Sequence, residues 1–402
     1  MARFFCILVM IMSVGLGYSQ QFITISGKII DAETNEPLAF STISILEKPI
    51  GVVANEEGYF EFTFSTELQS DSLVISMMGY ASEKYLLQTL ADKKNLSIKL
   101  VSKAVMLDEV VVTDKQLTVE DILDLVRRNI KHNYPTTPFE FEAFYRDYKI
   151  ENDKCVGLFE AAVSVYDKRY SKVVNGDVLK EKVTLNQVRK SFATSYQTHA
   201  FKRINIMKEL LRLNDVRYQS RVLDKKRKYK RELDGYKIIN DRLMYRIKAV
   251  EDWTFYIYVD VSTYAVPKIE MNFEWEDDVA ENEWTLGDTI KYQQRSAKEI
   301  LDFQLIDGLY YPKYHSFRTV LHAFDFNSDS LLFTSDLLQE YMVTNIDFSP
   351  GEKPAKNNIM DPDEMLEKQE TTYDPEFWKH YNILKMHPRD EQLIRGLEKT
   401  SW

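Results

Sequence analysis

The densest run of like charge in the chain is Lys225-Lys226-Arg227-Lys228-Tyr229-Lys230-Arg231, six cationic side chains in seven residues. Such a run can gather phosphates, those of a lipid head group or of lipopolysaccharide. It can equally be a solvated loop or helix end, with Arg217 and Arg221 on its approach. The opposite charge collects in Glu274, Glu276, Asp277, Asp278, Glu281, Glu283 and Asp288. These lack the ligand spacing of a calcium loop and read as a charged hairpin tip. The histidines, His132, His199, His315, His322, His380 and His387, fall in no H-E-x-x-H pattern. His315 and His322 are an odd number of residues apart on one predicted strand, so they face opposite sides and are poor co-ligands. There is no G-x-S-x-G elbow and no Walker A or G-x-G-x-x-G loop. The expectation is therefore a protein that binds rather than catalyses, with no cofactor and no metal. The alternative is a periplasmic hydrolase or transferase with a site on the second half of the chain.

Composition and address narrow the partners. The 402 residues carry 62 acidic and 52 basic side chains, a net charge of −10, so the chain as a whole is no polyanion binder and nucleic acid is not expected. Glycine is scarce, 13 residues, which argues against phosphate-cradling loops, while 24 Tyr and 22 Phe favour strands. Phe4 to Leu16 is apolar but for Ser13, follows Arg3, and is succeeded by Gly17 and Ser19 as small residues before a cleavage point at Gln20. Residues 1–19 thus read as a secretory signal peptide. No later stretch approaches the about 20 apolar residues of a membrane-spanning helix. Cys6 would leave with the leader, and Cys155 would remain as a lone thiol packed as a small hydrophobe. The expected location is exported, periplasmic or associated with an outer membrane.

Behind the leader, residues 21–103 read as short strands between turns. Phe22–Ile30, Phe40–Leu46, Tyr59–Phe64, Ser72–Met77 and Leu96–Leu100 are rich in β-formers. Phe60, Phe62 and Phe64 share one face, and Asn55-Glu56-Glu57-Gly58 is turn chemistry. Evenly spaced short strands imply a β-sandwich. Gly27-x-Ile29-x-Asp31-x-x-Thr34, Glu36-Pro37-Leu38-Ala39, Gly51, the turn Asn55–Phe60 and Ser76-x-x-Gly79-Tyr80 resemble the carboxypeptidase-regulatory-like domain. That resemblance implies a transthyretin-like sandwich of about seven strands and a non-catalytic accessory role, as in exported and outer-membrane proteins of diderm bacteria. Gly58 would supply φ > 0 in a turn and Gly79 a bend. Residues 104–117 read as a linker. Within them Asp108-Glu109-Val110-Val111-Val112-Thr113 is similar to the TonB box of transporters that begin with this domain, an extended segment that can add to a partner's sheet edge.

Residues 118–348 read as an α+β domain. Thr118 with Asp121 resembles a capping box, Ile122, Leu123, Val126 and Ile130 form a helical stripe, and Pro135 marks its end. Phe139, Phe141, Ala143 and Tyr145 alternate with polar residues, and the turn Glu151–Lys154 leads into Val156–Tyr166 as a hairpin. The spacing of Ile204, Met207 and Leu211 predicts helix over 186–215. Strands are predicted at 242–250, 254–261, 266–276, 283–294, 296–305, 309–326 and 330–348. Ile269, Met271, Phe273 and Trp275 alternate with polar neighbours, as in an antiparallel sheet with one buried face. Tyr310, Tyr311, Tyr314, Phe317, Phe324 and Phe326 could line a groove or occupy the two faces of a thick strand layer. Residues 349–372 read as a loop and 373–402 as C-terminal helices, with Asp374 and Pro375 at a helix start. Residues 373–384 resemble the tail of exported proteins that pair this sandwich with a domain of unknown function. Tyr256–Asp260, Thr263 and Pro267–Glu270 are similar to strand-turn-strand repeats of periplasmic lipoprotein and lipid carriers, which hold acyl chains against a curved sheet. The whole is expected to be mainly β: an N-terminal transthyretin-like sandwich plus an α+β domain whose curved antiparallel sheet packs on helices. The expected function is that of an accessory or binding protein of the cell envelope. The sandwich would be the adaptor, and the second domain would bind an amphiphile or an envelope protein.

Overall fold

The computed structural model of the chain describes residues 21–91, 93–103, 117–170, 178–193, 205–274, 283–286, 289–369 and 372–392. The residues read above as a leader, Asp108–Thr113 and most of the acidic run 274–288 lie outside them.

Seven strands build the N-terminal unit: β1 (Phe22–Asp31), β2 (Thr42–Ile45), β3 (Gly51–Val53), β4 (Tyr59–Ser65), β5 (Ser72–Ser76), β6 (Glu83–Leu86) and β7 (Leu96–Leu100), with one helical turn, α1 (Leu87–Leu90). They form two sheets, β4-β1-β7 and β3-β2-β5-β6, with β1 and β7 parallel. Alternation decides which side is buried. Ile23, Ile25 and Ile29 of β1 and Phe60, Phe62 and Phe64 of β4 point into one core with Ile43, Ile75 and Leu73. Gly58 sits at φ +75° in the β3–β4 turn, and a Cβ there would lie 2.4 Å from the Ile29 carbonyl oxygen. The side chain of Asn55 holds that turn by accepting from the Glu57 and Tyr59 amides.

Beyond the sandwich runs α2 (Val119–Asn133), opened by the capping box of Thr118 and Asp121. Then come β8 (Phe139–Glu151), β9 (Lys154–Asp167), β10 (Lys182–Ala193), α3 (Ile206–Arg212), α4 (Asp215–Tyr218), β11 (Lys230–Ile239), β12 (Arg242–Val250), β13 (Thr254–Asp260), β14 (Lys268–Glu274), β15 (Glu283–Leu286), β16 (Ile290–Ile306), β17 (Leu309–Asp325) and β18 (Leu331–Asp347). They pair antiparallel throughout in one curved sheet, β10-β9-β8-β18-β17-β16-β14-β13-β12-β11, with β15 on the outside of β16. Two sequence expectations fail here. Residues 182–193 are strand rather than helix: the polar stretch Asn186–Ser191 offers no helical stripe, and the free edge of β9 takes it up in a bulged ladder. The cationic run also ends inside β11, a strand not foreseen because its charged residues show little alternation.

The sheet has covered faces. On one, α2, α3 and α4 lie against Phe141, Phe159, Ile257, Ile269, Leu301 and Tyr341, all in one core. On the other lies the sandwich: Phe144, Tyr314 and Met342 of the sheet belong to the same apolar cluster as the sandwich core. The Val53 amide meets the Met342 sulfur at 3.2 Å, and the Gly79 amide donates to the Ile238 carbonyl at 2.7 Å. The C-terminal segment, with α5 (Pro375–Trp378) capped by Asp374, crosses both units. Asn382 pairs twice with the backbone of Thr63 while the carbonyl of Leu384 accepts from Arg146. Residues 349–372 strap the β10 side, where the Met360 amide bonds Val183 and the Val188 amide bonds Thr372.

Candidate functional site

The cationic run is a loop that passes into the first two residues of β11, and it is held at both ends. Its first residue, Lys225, reaches Asp124 of α2 at 2.7 Å, and its last, Arg231, reaches Glu120 at 2.9 Å. The Lys225 ammonium lowers the Asp124 carboxyl below its ordinary range. Asp224 is spent accepting the Lys226 amide, and Glu232 and Asp234 face Lys248 and Arg246 of β12. Among the described residues, Lys226, Arg227, Lys228 and Lys230 take part in no ion pair, and all four are exposed. Tyr229 is the inward anchor, edge-on to Phe255. The run is therefore a fixed platform of four free cations. Arg217 and Arg221, adjacent in sequence, do not belong to it.

Both those arginines turn into the core. Arg221 bridges Asp215 and Glu299 at 2.9 and 2.6 Å, and His315 meets Glu299 at 3.1 Å. Burial alone would raise Glu299, but the Arg221 guanidinium and His315 hold it at about 2. Asp215, equally buried, goes the other way, up to about 6. Burial lowers His315, and its Nε2–H donates to Glu299. Arg217 clamps Asp167 beside Glu181, which burial and the Asp167 charge push up. On the opposite face Arg146 joins Glu160 and Glu340, the latter also accepting from Tyr314. These buried networks went unseen in the sequence, where 62 acidic residues offer no spacing that marks the six involved. Their carboxylates are already matched by guanidinium groups.

Where sandwich, sheet and tail meet there is a cleft of about 100 Å³, walled by Phe40, Ile300, Leu338 and Leu384 with Arg318 and Lys298 at its rim. Binding sites for small molecules usually offer roughly 300–1,000 Å³. At its edge Glu56, Glu57 and His387 bring ligand atoms within 4.8 Å of one another. The Arg389 amide donates to His387 Nδ1 at 3.0 Å. The ring proton is then on Nε2, the atom that faces Glu57. A metal at Nε2 would need that proton on Nδ1, opposite a donor. The trio thus ties the tail to the sandwich. His380 stacks on Phe22, away from His387. The aromatics of β17 form no common groove: Tyr311 and Phe317 join the helix-side core, Tyr314 lies under the sandwich, and Phe326 is at a far tip.

Comparison with known proteins bears on the first unit. Residues 25–112, about a fifth of the chain, match the profile of the CarboxypepD_reg-like domain family. The N-terminal sandwich is a carboxypeptidase-regulatory-like domain. The match runs through Asp108–Val112 and so takes in most of the segment similar to a TonB box. No curated protein matches the chain. Among solved structures, a LolA superfamily protein from Nitrosomonas europaea is 12% identical, covering 60% of this chain and 98% of its own, at a TM-score of 0.22. An outer membrane lipoprotein-sorting protein domain from Vibrio parahaemolyticus is 9% identical over 59% of this chain and 95% of its own, TM-score 0.24. The MucA/MucB complex of Pseudomonas aeruginosa matches at 10% identity over 55% of this chain and 92% of its own, TM-score 0.20. Superpositions at these scores carry no weight for the regulatory-like domain or its partner domain.

Proposed function

We propose that this is a non-enzymatic, exported protein of the cell envelope that engages an anionic surface, the phosphates of lipid head groups, through the loop Lys225–Arg231. The carboxypeptidase-regulatory-like domain acts as an adaptor locked to the second domain. One observation carries the reading: four exposed cations, without ion pairs among the described residues, stand on a loop and the first residue of β11, pinned at both ends, in a chain of net charge −10. Pinning matters because a platform fixed before binding loses little conformational freedom when it docks. The commitment of the buried carboxylates to arginines supports binding over catalysis. The filled helix side of the sheet supports surface contact over an enclosed acyl chain.

The test is co-sedimentation with vesicles containing anionic lipid. A cation near such a surface contributes about 1 kcal/mol. Half of that from each of four side chains gives about 2 kcal/mol, or roughly a 30-fold change in affinity. Replacing Lys226, Arg227, Lys228 and Lys230 with Gln should weaken binding at low salt by about that factor and remove its salt dependence. Binding by the wild type should fall steeply as salt shortens the Debye length. Equal binding by both proteins, or binding indifferent to salt, would remove the loop as the contact.

A further inference from the structure

The three longest strands outrun their neighbours. β14 stops opposite Ser296 of β16, and β8 ends opposite Ser335 of β18. Past those points β16, β17 and β18 continue as a tongue, edged by β15 and about 15–20 Å long at the usual strand rise. Its helix-side face has a small core of its own, Tyr292, Leu321, Ala323 and Phe333. Its end does not. Phe326 is 53% exposed, Leu331 52%, Leu332 44% and Trp284 39%. They lie within a few rungs of one another: Leu331 pairs Phe324, the Phe326 amide bonds the Thr289 carbonyl, and Trp284 stacks on Tyr292. Exposed apolar residues scattered singly need no explanation, whereas a cluster on a protruding end does.

Two observations indicate what the tip meets. Among the described residues its charges have local partners, although the Asp329 side chain stays exposed. Asp329 pairs with Lys291 at 2.5 Å, and Asp325 accepts from the Asn327 amide and from the amide and hydroxyl of Ser328. The second is position. Lys230 at the start of β11 is on the rung that runs through Val250, Thr254 and Asn272 to Lys298 of β16. The cationic loop leaves the sheet at this end, and the tongue extends beyond the same end. Exposed apolar side chains flanking a polar turn, and a cationic loop, on one end of a sheet match the two layers of a bilayer surface. The head groups would meet the cations, and the acyl boundary would meet Trp, Phe and Leu.

We propose that the tongue tip, Trp284, Phe326, Leu331 and Leu332, inserts into the interface of a phospholipid bilayer as a second membrane contact beside the cationic loop. This rests on the surface reading above for orientation, but its driving force is burial of apolar area rather than charge. The tip therefore binds lipid whether or not the lipid is anionic.

The experiment uses the full chain with vesicles of phosphatidylcholine alone and of phosphatidylcholine mixed with phosphatidylglycerol, some carrying bromine on the acyl chains. Phe326→Ser/Leu331→Ser/Leu332→Ser should bind mixed vesicles about 30-fold less tightly, because each of these side chains still has about half its area to bury. Its thermal midpoint should match the wild type. Brominated lipid should quench wild-type tryptophan fluorescence, and Trp284→Phe should lose that quenching. The quadruple Gln variant of the cationic loop should lose the salt-dependent part of binding yet keep the quenching. Wild-type affinity in the triple Ser variant, or undiminished quenching in Trp284→Phe, would overturn the tip contact while leaving the cationic loop standing. Loss in the triple Ser variant with no effect of the Gln variant would remove the loop and keep the tip. A wild type that ignores both vesicles but self-associates, and loses that association in the triple Ser variant, would assign the tip to protein contact and overturn the inference.

Discussion

Replacing Arg221 with Met isolates the most heavily charged part of the core. Arg221 serves two buried carboxylates, Asp215 and Glu299, whose ordinary values of 3.8 and 4.5 are displaced to about 6 and about 2. At about 1.4 kcal/mol per unit, Glu299 adds roughly 3 kcal/mol of stability at neutral pH and Asp215 subtracts about the same. The triad is thus near balance, as buried ion pairs often are. Glu299, with its folded value depressed, contributes stability above pH 4.5 that is lost as pH falls towards 2. Asp215 is raised, so its penalty is complete above about pH 6 and is relieved as pH falls towards 3.8. Without Arg221 only the His315 ring still favours the Glu299 carboxylate and only the Ser220 hydroxyl the Asp215 carboxylate, and burial shifts both towards the proton. The variant should lose about 3–5 kcal/mol at pH 7. It should regain about half of that, relative to wild type, at pH 5. Urea unfolding followed by circular dichroism at both pH values measures the two differences. A loss under about 1 kcal/mol at pH 7, or one of the same size at pH 5, would refute the assignment of Arg221 as the main compensating charge. A variant that fails to fold at pH 7 can be refolded at pH 5, where the reasoning requires it to recover.

Three further outcomes are expected. Gly58→Ala should lower the thermal stability of the sandwich by at least about 2 kcal/mol, since the residue is left-handed and its new Cβ would strike the Ile29 carbonyl; an unchanged midpoint would contradict the turn. Thr118→Ala should cost about 1 kcal/mol by removing the α2 cap, and Thr118→Ser should restore most of it. Cys155, buried against Tyr148 and Leu158, should react with Ellman's reagent only as fast as the protein opens.

What could be read from the sequence was whatever repeats along it. The alternations Phe139–Tyr145 and Ile269–Phe273 landed on the helix side of the sheet, and Thr118 with Asp121 capped its helix, because each is decided within a few residues. The strand 182–193 was not legible. Its polar composition is neutral between structures, and it is fixed by the edge of β9, more than fifteen residues away. The cationic loop was visible as composition, but its separation from Arg217 and Arg221 was not. Those two point inward because Asp167, Asp215 and Glu299 wait there; Asp215 is six residues from Arg221, but Asp167 and Glu299 are 50 and 78 residues from their arginines.

The placement of function at one end of the sheet follows from how its surfaces are used. A large antiparallel sheet has two faces, two edges and two ends. Among the described residues one face is packed by α2, α3 and α4, and the other is covered by the sandwich and the tail except for the small cleft between them. The β10 edge is strapped by residues 349–372. The β11 edge bears Lys230, Arg231, Glu232, Asp234 and Lys237 and is broken by a bulge at Gly235, devices that discourage another strand from adding. Contacts must then be made by what projects beyond the ladder. At the end reached by Lys230 and Lys298, two features project, one cationic and one apolar. In the carboxypeptidase-regulatory-like domain, Asp31 is spent accepting from Tyr80 and from the Glu33 and Thr34 amides, so its polar groups there are engaged internally as well. With both faces largely covered and both edges guarded among the described residues, this end is where exposed cations and exposed apolar side chains occur together.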